Sequence, residues 1–270
     1  METKRVYNPL LDERILLPLR ISKIVSLDPG ATETIFMLGL GHLVKATDAF
    51  SYRPPEAKAL PKIGSYTHVN YEMLDQISPD VILTSYGAQK NLVKKLIEEG
   101  YAVYPLPVPY SLNSILDNVI LISNVLNAQH LAMNLQRKLV SIISQYTCFL
   151  RKSVKVYVEF DLGGPITIGY PTHVTHALHI LGVRNVFDNY YDAYFEPDYD
   201  VLRRSDPDIV IYEPKRLTEN EKVRFIDSIK KRNLDFLLDK KIVFSSGDFL
   251  AHLGPSFITL GLPWLASVLS

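Results

Sequence analysis

Cysteine is almost missing from this chain: Cys148 is the only one in 270 residues. An intramolecular disulfide is therefore excluded, and so is a thiolate-rich metal site. Net charge is missing too, since 29 Lys and Arg face 29 Asp and Glu. A nucleic-acid binder needs a basic surplus to neutralise phosphates, so that class is disfavoured. No stretch approaches the ~18–20 uncharged apolar residues of a membrane-spanning helix. The longest apolar region, Ile115 to Ile143, is broken by Asp117, Asn118, Asn124, Gln129, His130, Asn134 and Arg137. Lys4 and Arg5 lead into Asn8, Pro9, Asp12, Glu13 and Arg14 rather than an apolar run, so no secretion signal is expected in the chain as written. Catalytic signatures are lacking as well: there is no GxSxG, HExxH, P-loop or CxxC, and no Ser, His and Asp declare themselves as a triad. Gly39-Leu40-Gly41 has no third glycine and follows a helical pattern, which makes it a helix terminator. These absences point away from an enzyme and toward binding.

What is present is an ordinary globular composition, 47% hydrophobic and 21% charged, in a chain long enough for one large or two modest cores. Glycine and proline divide it in three, because neither occurs between Pro109 and Gly163. That middle stretch carries Leu112, Ile115, Leu116, Val119, Ile122 and Leu126 at helical spacing, continued by Leu131, Leu135, Leu139, Ile142 and Ile143. Asn127 marks a break, and a second helix is expected from about Gln129 to Lys152, roughly 35 Å long at 1.5 Å per residue. The resulting division is an N-terminal α/β lobe over 1–110, linking helices acting as a strut over 111–152, and a C-terminal α/β lobe over 153–270.

The flanks resemble each other. Tyr71-Glu72-Met73-Leu74, followed by Ser78-Pro79-Asp80-Val81-Ile82-Leu83, recurs 128 residues later as Tyr199-Asp200-Val201-Leu202, followed by Asp206-Pro207-Asp208-Ile209-Val210-Ile211. Each copy reads as a short helix, a turn closed by Pro-Asp, and a buried parallel strand. In the first lobe, Val6 to Leu19 reads as a hairpin. Lys23–Leu27 is a strand ending in Asp28-Pro29-Gly30, and Ala31–Leu38 a helix with Glu33 at its positive dipole end. Strands at Val81–Thr84 and Ala102–Leu106 flank a helix at Gln89–Glu99. The second lobe reads as strand Val154–Phe160, helix His173–Leu181, helix Glu219–Lys231, strand Ile242–Ser245 and a closing helix from about Pro255. Both lobes are α/β.

Ile24-Val25-Ser26-Leu27-Asp28-Pro29-Gly30-Ala31-Thr32-Glu33, together with Tyr71-Glu72 and Ser78-Pro79-Asp80-Val81-Ile82, resembles the cobalamin and iron-siderophore binding proteins of ABC importers. Gly64-Ser65-Tyr66 before Val69-Asn70-Tyr71-Glu72, and Phe50-Ser51 before Pro54-Pro55-Glu56-Ala57, look nearest the cobalamin-binding branch. The resemblance implies two Rossmann-like lobes joined by a long rigid α-helix, with a ligand cleft between them. It also implies a cobalamin-type corrinoid as transported ligand and no catalytic cofactor. Haem or a ferric siderophore on the same fold is the alternative, for which Arg53 and Lys90 are the cations at hand. The implied partner is an ABC permease dimer with its ATPase subunits. Glu72 and Asp200 would be the two docking carboxylates on a two-fold target, Asp200 being one methylene shorter than the usual Glu. The implied location is extracytoplasmic, the implied state monomeric. A cytoplasmic corrinoid carrier or sensor without a permease is the alternative that a missing leader would favour.

Loops at the C-terminal ends of strands are where open α/β sheets bind ligands. Reading them gives Asp28, Pro29, Phe50, Tyr52, Tyr66, Tyr86, Tyr170, Tyr194 and Phe249 as ligand-contacting candidates, the aromatics offering faces to a large planar ring. By the resemblance, Tyr66 and Tyr194 each stand where a Trp lies along the corrin. His68 and His252 fall in the same class of loop and are candidates to reach a metal centre in the ligand. His173, His176 and His179 are spaced three apart on one helical face, and the first two are weak candidates for metal ligation.

Overall fold

A computed structural model of the chain describes residues 2–65, 67–150 and 154–270. It divides into two compact units. The first comprises the chain up to Pro109 with Asn113–Leu139 and Leu253–Pro255; the second comprises Tyr110–Leu112, Val140–His252 and Ser256–Ser270. Each is an α/β unit built on its own sheet.

The first unit opens with an antiparallel hairpin, β1 (Thr3–Asn8) and β2 (Glu13–Pro18), turning through Asp12 at a left-handed φ of 52°. Buried Asn8 donates to the Pro105 carbonyl at 2.8 Å, which ties the hairpin down. There follow β3 (Ile24–Ser26), α1 (Pro29–Met37), β4 (Val44–Asp48), β5 (Lys62–Gly64), α2 (Tyr71–Ile77), β6 (Val81–Ser85), α3 (Lys90–Glu98) and β7 (Val103–Leu106). The sheet is parallel throughout, in the order β5-β4-β3-β6-β7. Because helices cover a parallel sheet, its central strands are apolar without alternation, and Ile24, Val25, Val81, Ile82 and Leu83 are all wholly buried. Glu33 does not face the first turn of α1: it lies one turn further in and is buried. The helix begins at Pro29, earlier than the apolar pattern alone suggests, because Asp28 caps it.

Two helices follow, α4 (Leu112–Leu126) and α5 (Gln129–Tyr146), broken at Asn127 with φ 55°. The Lys4 ammonium closes the end of α4, donating to the Val125 carbonyl at 2.6 Å and Asn127 Oδ1 at 2.7 Å. Helix α5 belongs to the first unit up to Leu139 and to the second from Val140. It stops at Tyr146 rather than near Lys152, which lies outside the described residues. Cys148 takes a left-handed φ of 53°, and its N–H donates to the Ile180 carbonyl, so the chain is captured by another element before the apolar pattern runs out.

The second unit contains β8 (Lys155–Asp161), β9 (Pro165–Ile168), α6 (His173–Leu181), β10 (Arg184–Asn185), β11 (Tyr194–Phe195), α7 (Tyr199–Ser205), β12 (Ile209–Glu213), α8 (Glu219–Lys231), β13 (Lys241–Phe244) and α9 (Leu262–Leu269). Its sheet is mixed. Strands β10, β8, β12 and β13 are parallel, while β9 runs against β8 and β11 against β9. A π-type turn over Phe257–Gly261 precedes α9. Helix α8 has Thr218 as its cap, Glu219 and Glu221 in its first turn and Lys230 and Lys231 in its last, each charge opposing the dipole end it sits on.

The internal repeat has a physical basis in both units. Helices α2 and α7 each end on a left-handed residue, Ser78 (φ 48°) and Asp206 (φ 46°), and the Pro-Asp that follows starts the strand. The Asp80 carboxylate accepts the Ser22 and Lys23 N–H groups at 2.6 and 2.9 Å, while the Lys23 ammonium reaches the Ile77 carbonyl at 3.0 Å. In the second copy the Asp208 carboxylate accepts the Lys155 N–H at 2.8 Å, and the Lys155 ammonium reaches the Ser205 carbonyl at 2.8 Å. One Lys–Asp clamp thus fastens each short helix to the start of the neighbouring strand.

Candidate functional site

In the first unit the loops after β3, β4, β5 and β6 leave the same edge of a parallel sheet, and side chains tie them together. Asp28 caps α1, accepting the Ala31 N–H at 2.6 Å, and Pro29 occupies the first helical position, so both shape the loop they belong to. Buried Gln89 spans two loops. Its Oε1 accepts from the Thr84 hydroxyl and from the Ser85 N–H at 2.9 Å, and its Nε2 donates to the Leu27 carbonyl at 2.7 Å. Asp48 closes β4 and accepts from the Ser51 hydroxyl and, at 2.7 Å, the Phe50 N–H. Burial pushes the Asp48 carboxyl up, against the pull of those donors and of the Lys62 ammonium. The Thr32 hydroxyl joins Ser26 at 2.8 Å to Ser51 at 2.9 Å, so the β3 and β4 loops share one polar network.

On this frame Phe50 stands 43% exposed, while Tyr52 and Tyr86 are half-buried. The Arg53 guanidinium lies 5.6 Å from the centre of the Tyr52 ring, and the Lys90 ammonium 5.6 Å from that of Tyr86. Two aromatic faces are thus each paired with a cation. His68 is exposed in the loop after β5, where its carbonyl accepts the Ser65 N–H at 2.7 Å. Tyr66 lies outside the described residues.

In the second unit the matching edge is formed by the ends of β8, β12 and β13, and of the expected residues it carries Phe249 and His252. Phe249 is half-buried and meets the Trp264 ring edge-on at 5.5 Å; His252 is buried. Tyr170 and Tyr194 are placed differently from the expectation of loops ending parallel strands. Strand β9 is antiparallel, so Tyr170 follows a strand running toward the start of β8, and Tyr194 is itself in β11, paired with Ile168. Both remain exposed, at 41% and 42%, and Tyr194 stands 6.1 Å from the Phe160 ring.

Two of the three helix histidines bond the backbone, and His179 Nε2 lies 3.6 Å from the Asp188 carboxylate. His173 is wholly buried, its Nε2 lies 2.7 Å from the Leu250 carbonyl, and its ring meets Phe257 edge-on at 4.5 Å. Burial holds its pKa down to about 4. His176 Nδ1 accepts the Leu112 N–H at 3.1 Å, and burial lowers its pKa too. Each ring thus gives one nitrogen to the backbone, while His173 Nδ1 is buried without a hydrogen-bond partner. Among the described residues, no group of three His, Cys, Asp or Glu is placed to hold a metal ion.

Glu72 and Asp200 occupy the same position in the first turns of α2 and α7, both exposed. Their surroundings differ. Glu72 has Gln76 Nε2 at 3.5 Å, whereas Asp200 is held by the Arg203 guanidinium at 2.8 Å.

Sequence reasoning missed the buried tie residues, Gln89 and Glu213. Glu213 ends β12 and accepts from the Ser245 hydroxyl at 2.5 Å and from the Leu250 and Ala251 N–H groups at 2.7 and 2.8 Å. The available signal was an acid closing the aliphatic run Ile209-Val210-Ile211, a position where burial demands donors.

A family model described as periplasmic binding protein matches residues 24–241. The vitamin B12-binding protein of Vibrio vulnificus (strain YJ016) is 25% identical over 203 residues, covering 74% of each chain. Among solved structures, the periplasmic vitamin B12 binding protein of Vibrio cholerae superposes with a TM-score of 0.74 at 19% identity, over 92% of this chain and 96% of that one. The periplasmic haem binding protein of the same organism gives a TM-score of 0.77 at 19% identity, over 92% and 98%. At these identities the solved structures establish a shared two-lobed α/β fold.

Proposed function

Because the chain belongs to the periplasmic binding protein family, a family of substrate-binding components of ABC importers and not of enzymes, we propose that it captures a cobalamin-type corrinoid and hands it to a permease. The observation that carries the ligand class is the set of exposed and half-buried aromatic faces, Phe50, Tyr52 and Tyr86, held at the loop edge of the first unit by the Gln89 and Asp48 networks. Such faces suit a large planar ring, and loops fixed in advance lower the entropy lost on binding. The similarity to a vitamin B12-binding relative supports a corrin as that ring. Phe249 and His252 on the second unit, with exposed Tyr170 and Tyr194, are the further contact residues of this reading. Glu72 and Asp200 are its docking carboxylates, set by the repeat at equivalent positions in the two units.

A second reading is haem or a ferric siderophore. The cations Arg53 and Lys90 beside Tyr52 and Tyr86 favour it, because an anionic ligand gains charge-assisted hydrogen bonds there. Titration with cyanocobalamin and, separately, with haemin decides between the two, followed by calorimetry and by the corrin or porphyrin absorption bands. One-to-one saturation by cyanocobalamin supports the corrinoid reading; saturation by haemin with no response to cyanocobalamin replaces it.

A further inference from the structure

We infer that Glu213 and His173 form a two-point latch on the loop Ser245–His252, making them positioning residues for Phe249 and His252. The backbone of Leu250 is gripped on both sides of its Cα. Its N–H donates to Glu213 Oε2 at 2.7 Å, and its carbonyl lies 2.7 Å from His173 Nε2. A carbonyl can only accept, so the proton of the neutral His173 ring sits on Nε2. The next residue doubles the hold, with the Ala251 N–H on Glu213 Oε1 at 2.8 Å, and the Ser245 hydroxyl reaches Oε2 at 2.5 Å. Glu213 is 3% exposed and Leu250 is wholly buried, so water does not compete for these bonds.

The loop needs such a device because its own backbone turns sharply. Gly247 and Asp248 are consecutive left-handed residues at φ 66° and 46°. A Cβ on Gly247 would stand 2.9 Å from the Lys215 carbonyl oxygen and 3.1 Å from that of Pro214, so the turn lies directly on the segment that follows Glu213. In the first unit the position equivalent to Glu213 is Ser85, and there the tie comes from the amide of Gln89 instead. At this position in the repeat the carboxylate is therefore particular to the second unit.

Trp264 is the only tryptophan in the chain, and Phe249 meets it edge-on at 5.5 Å, so tryptophan emission reports the position of this loop without any ligand. Glu213→Gln keeps the shape but sets an amide against N–H donors. In that variant the Leu250 and Ala251 amides are expected to exchange with solvent at least ~100-fold faster, as buried bonds to a charged acceptor are lost. The Trp264 emission shifts with them, while Val210 and Ile211 keep their protection. His173→Phe retains the ring packing on Phe257 and is expected to give a smaller shift of the same kind. If Glu213→Gln fails to fold, Ser245→Ala removes a single donor and is read in the same way. Unchanged exchange at Leu250 and Ala251 overturns the latch. Loss of protection at Val210 and Ile211 to the same degree overturns the positioning role, since Glu213 would then stabilise the whole unit. The consequence for binding rests on the function proposed above: cyanocobalamin or haemin, whichever the wild type binds, loses at least ~10-fold in affinity in Glu213→Gln at unchanged stoichiometry. A wild type that binds neither defeats the ligand reading, and the exchange data still decide the latch.

Discussion

The two α/β units share one frame and differ in what is fastened to it. Asp80 with Lys23, and Asp208 with Lys155, clamp helix to strand by the same bonds in both. At the loop edges the units part. The first has five parallel strands and joins its loops through an amide, Gln89, and a chain that runs from the Thr32 and Ser51 hydroxyls to the buried Asp48 carboxylate. The second interrupts its parallel order with β9 and β11 and relies on buried charge: Glu213 on its loop, and Glu159 paired with Arg232 at 2.8 and 3.1 Å. Both edges therefore contain a buried carboxylate, Asp48 in the first unit and Glu213 in the second, and the buried imidazole of His173 is what the second adds. Frame contacts recur because they determine the fold; edge contacts diverge because they answer to different surfaces.

The largest effect comes from breaking the buried Glu159–Arg232 charge pair of the second unit. Glu159 is 3% exposed and Arg232 12%, and the Tyr157 hydroxyl donates to the same carboxylate at 2.5 Å. Glu159→Ala leaves the guanidinium buried without its partner and is expected to destabilise the second unit by roughly 3–5 kcal/mol. Urea unfolding followed by Trp264, which lies in that unit, measures it. Loss of less than 1 kcal/mol would show that the pair is solvated in practice.

His173 sharpens the contrast through pH. Its folded pKa of about 4 lies below the ordinary 6.5, so the unfolded chain binds the proton more readily. Stability is therefore full above pH 6.5 and falls as pH drops toward 4, by about 3 kcal/mol for this group alone. His173→Phe should flatten that part of the pH–stability curve. A curve of the same slope in wild type and variant would assign the loss elsewhere.

The smallest effect compares the two copies of the clamp. Asp80 accepts two backbone N–H groups and the Ser22 hydroxyl, and although partial burial pushes its carboxyl up, these donors win and hold it low. Asp80→Asn is expected to cost roughly 1 kcal/mol after solvent screening, and Asp208→Asn, with its single backbone donor from Lys155, about half that. Hydrogen exchange in α2 and α7 reads both, and equal effects would remove the asymmetry.

Much of the fold was legible because it is periodic or repeated. The offset of 128 residues placed α2 with β6 and α7 with β12, and α6 and α8 follow their caps and apolar spacing to the residue. The mixed edge of the second sheet was not legible, since β9 has four residues and β10 and β11 two each, too short for any period to show. That is why the reading of Tyr170 and Tyr194 as residues of loops ending parallel strands did not foresee antiparallel β9 and the short β11. Gln89 and Glu213 escaped for a different reason. Their partners, Leu27 and Leu250, lie 62 and 37 residues away, and only the folded sheet brings those loops together. The end of α5 escaped likewise, fixed by the Ile180 carbonyl rather than by local sequence.

The account separates capture, at the strand-end loops, from delivery, at α2 and α7, and one substitution tests that separation most directly. Glu72→Lys reverses an exposed charge in the first turn of α2, outside the loops that carry Phe50, Tyr52 and Tyr86. Cells carrying this variant in place of the wild type should fail to accumulate labelled ligand, while the purified protein binds it with affinity within about twofold of wild type, since an exposed change at a distance adds little. Uptake at the wild-type rate, or a fall in affinity that matches the fall in uptake, would contradict it.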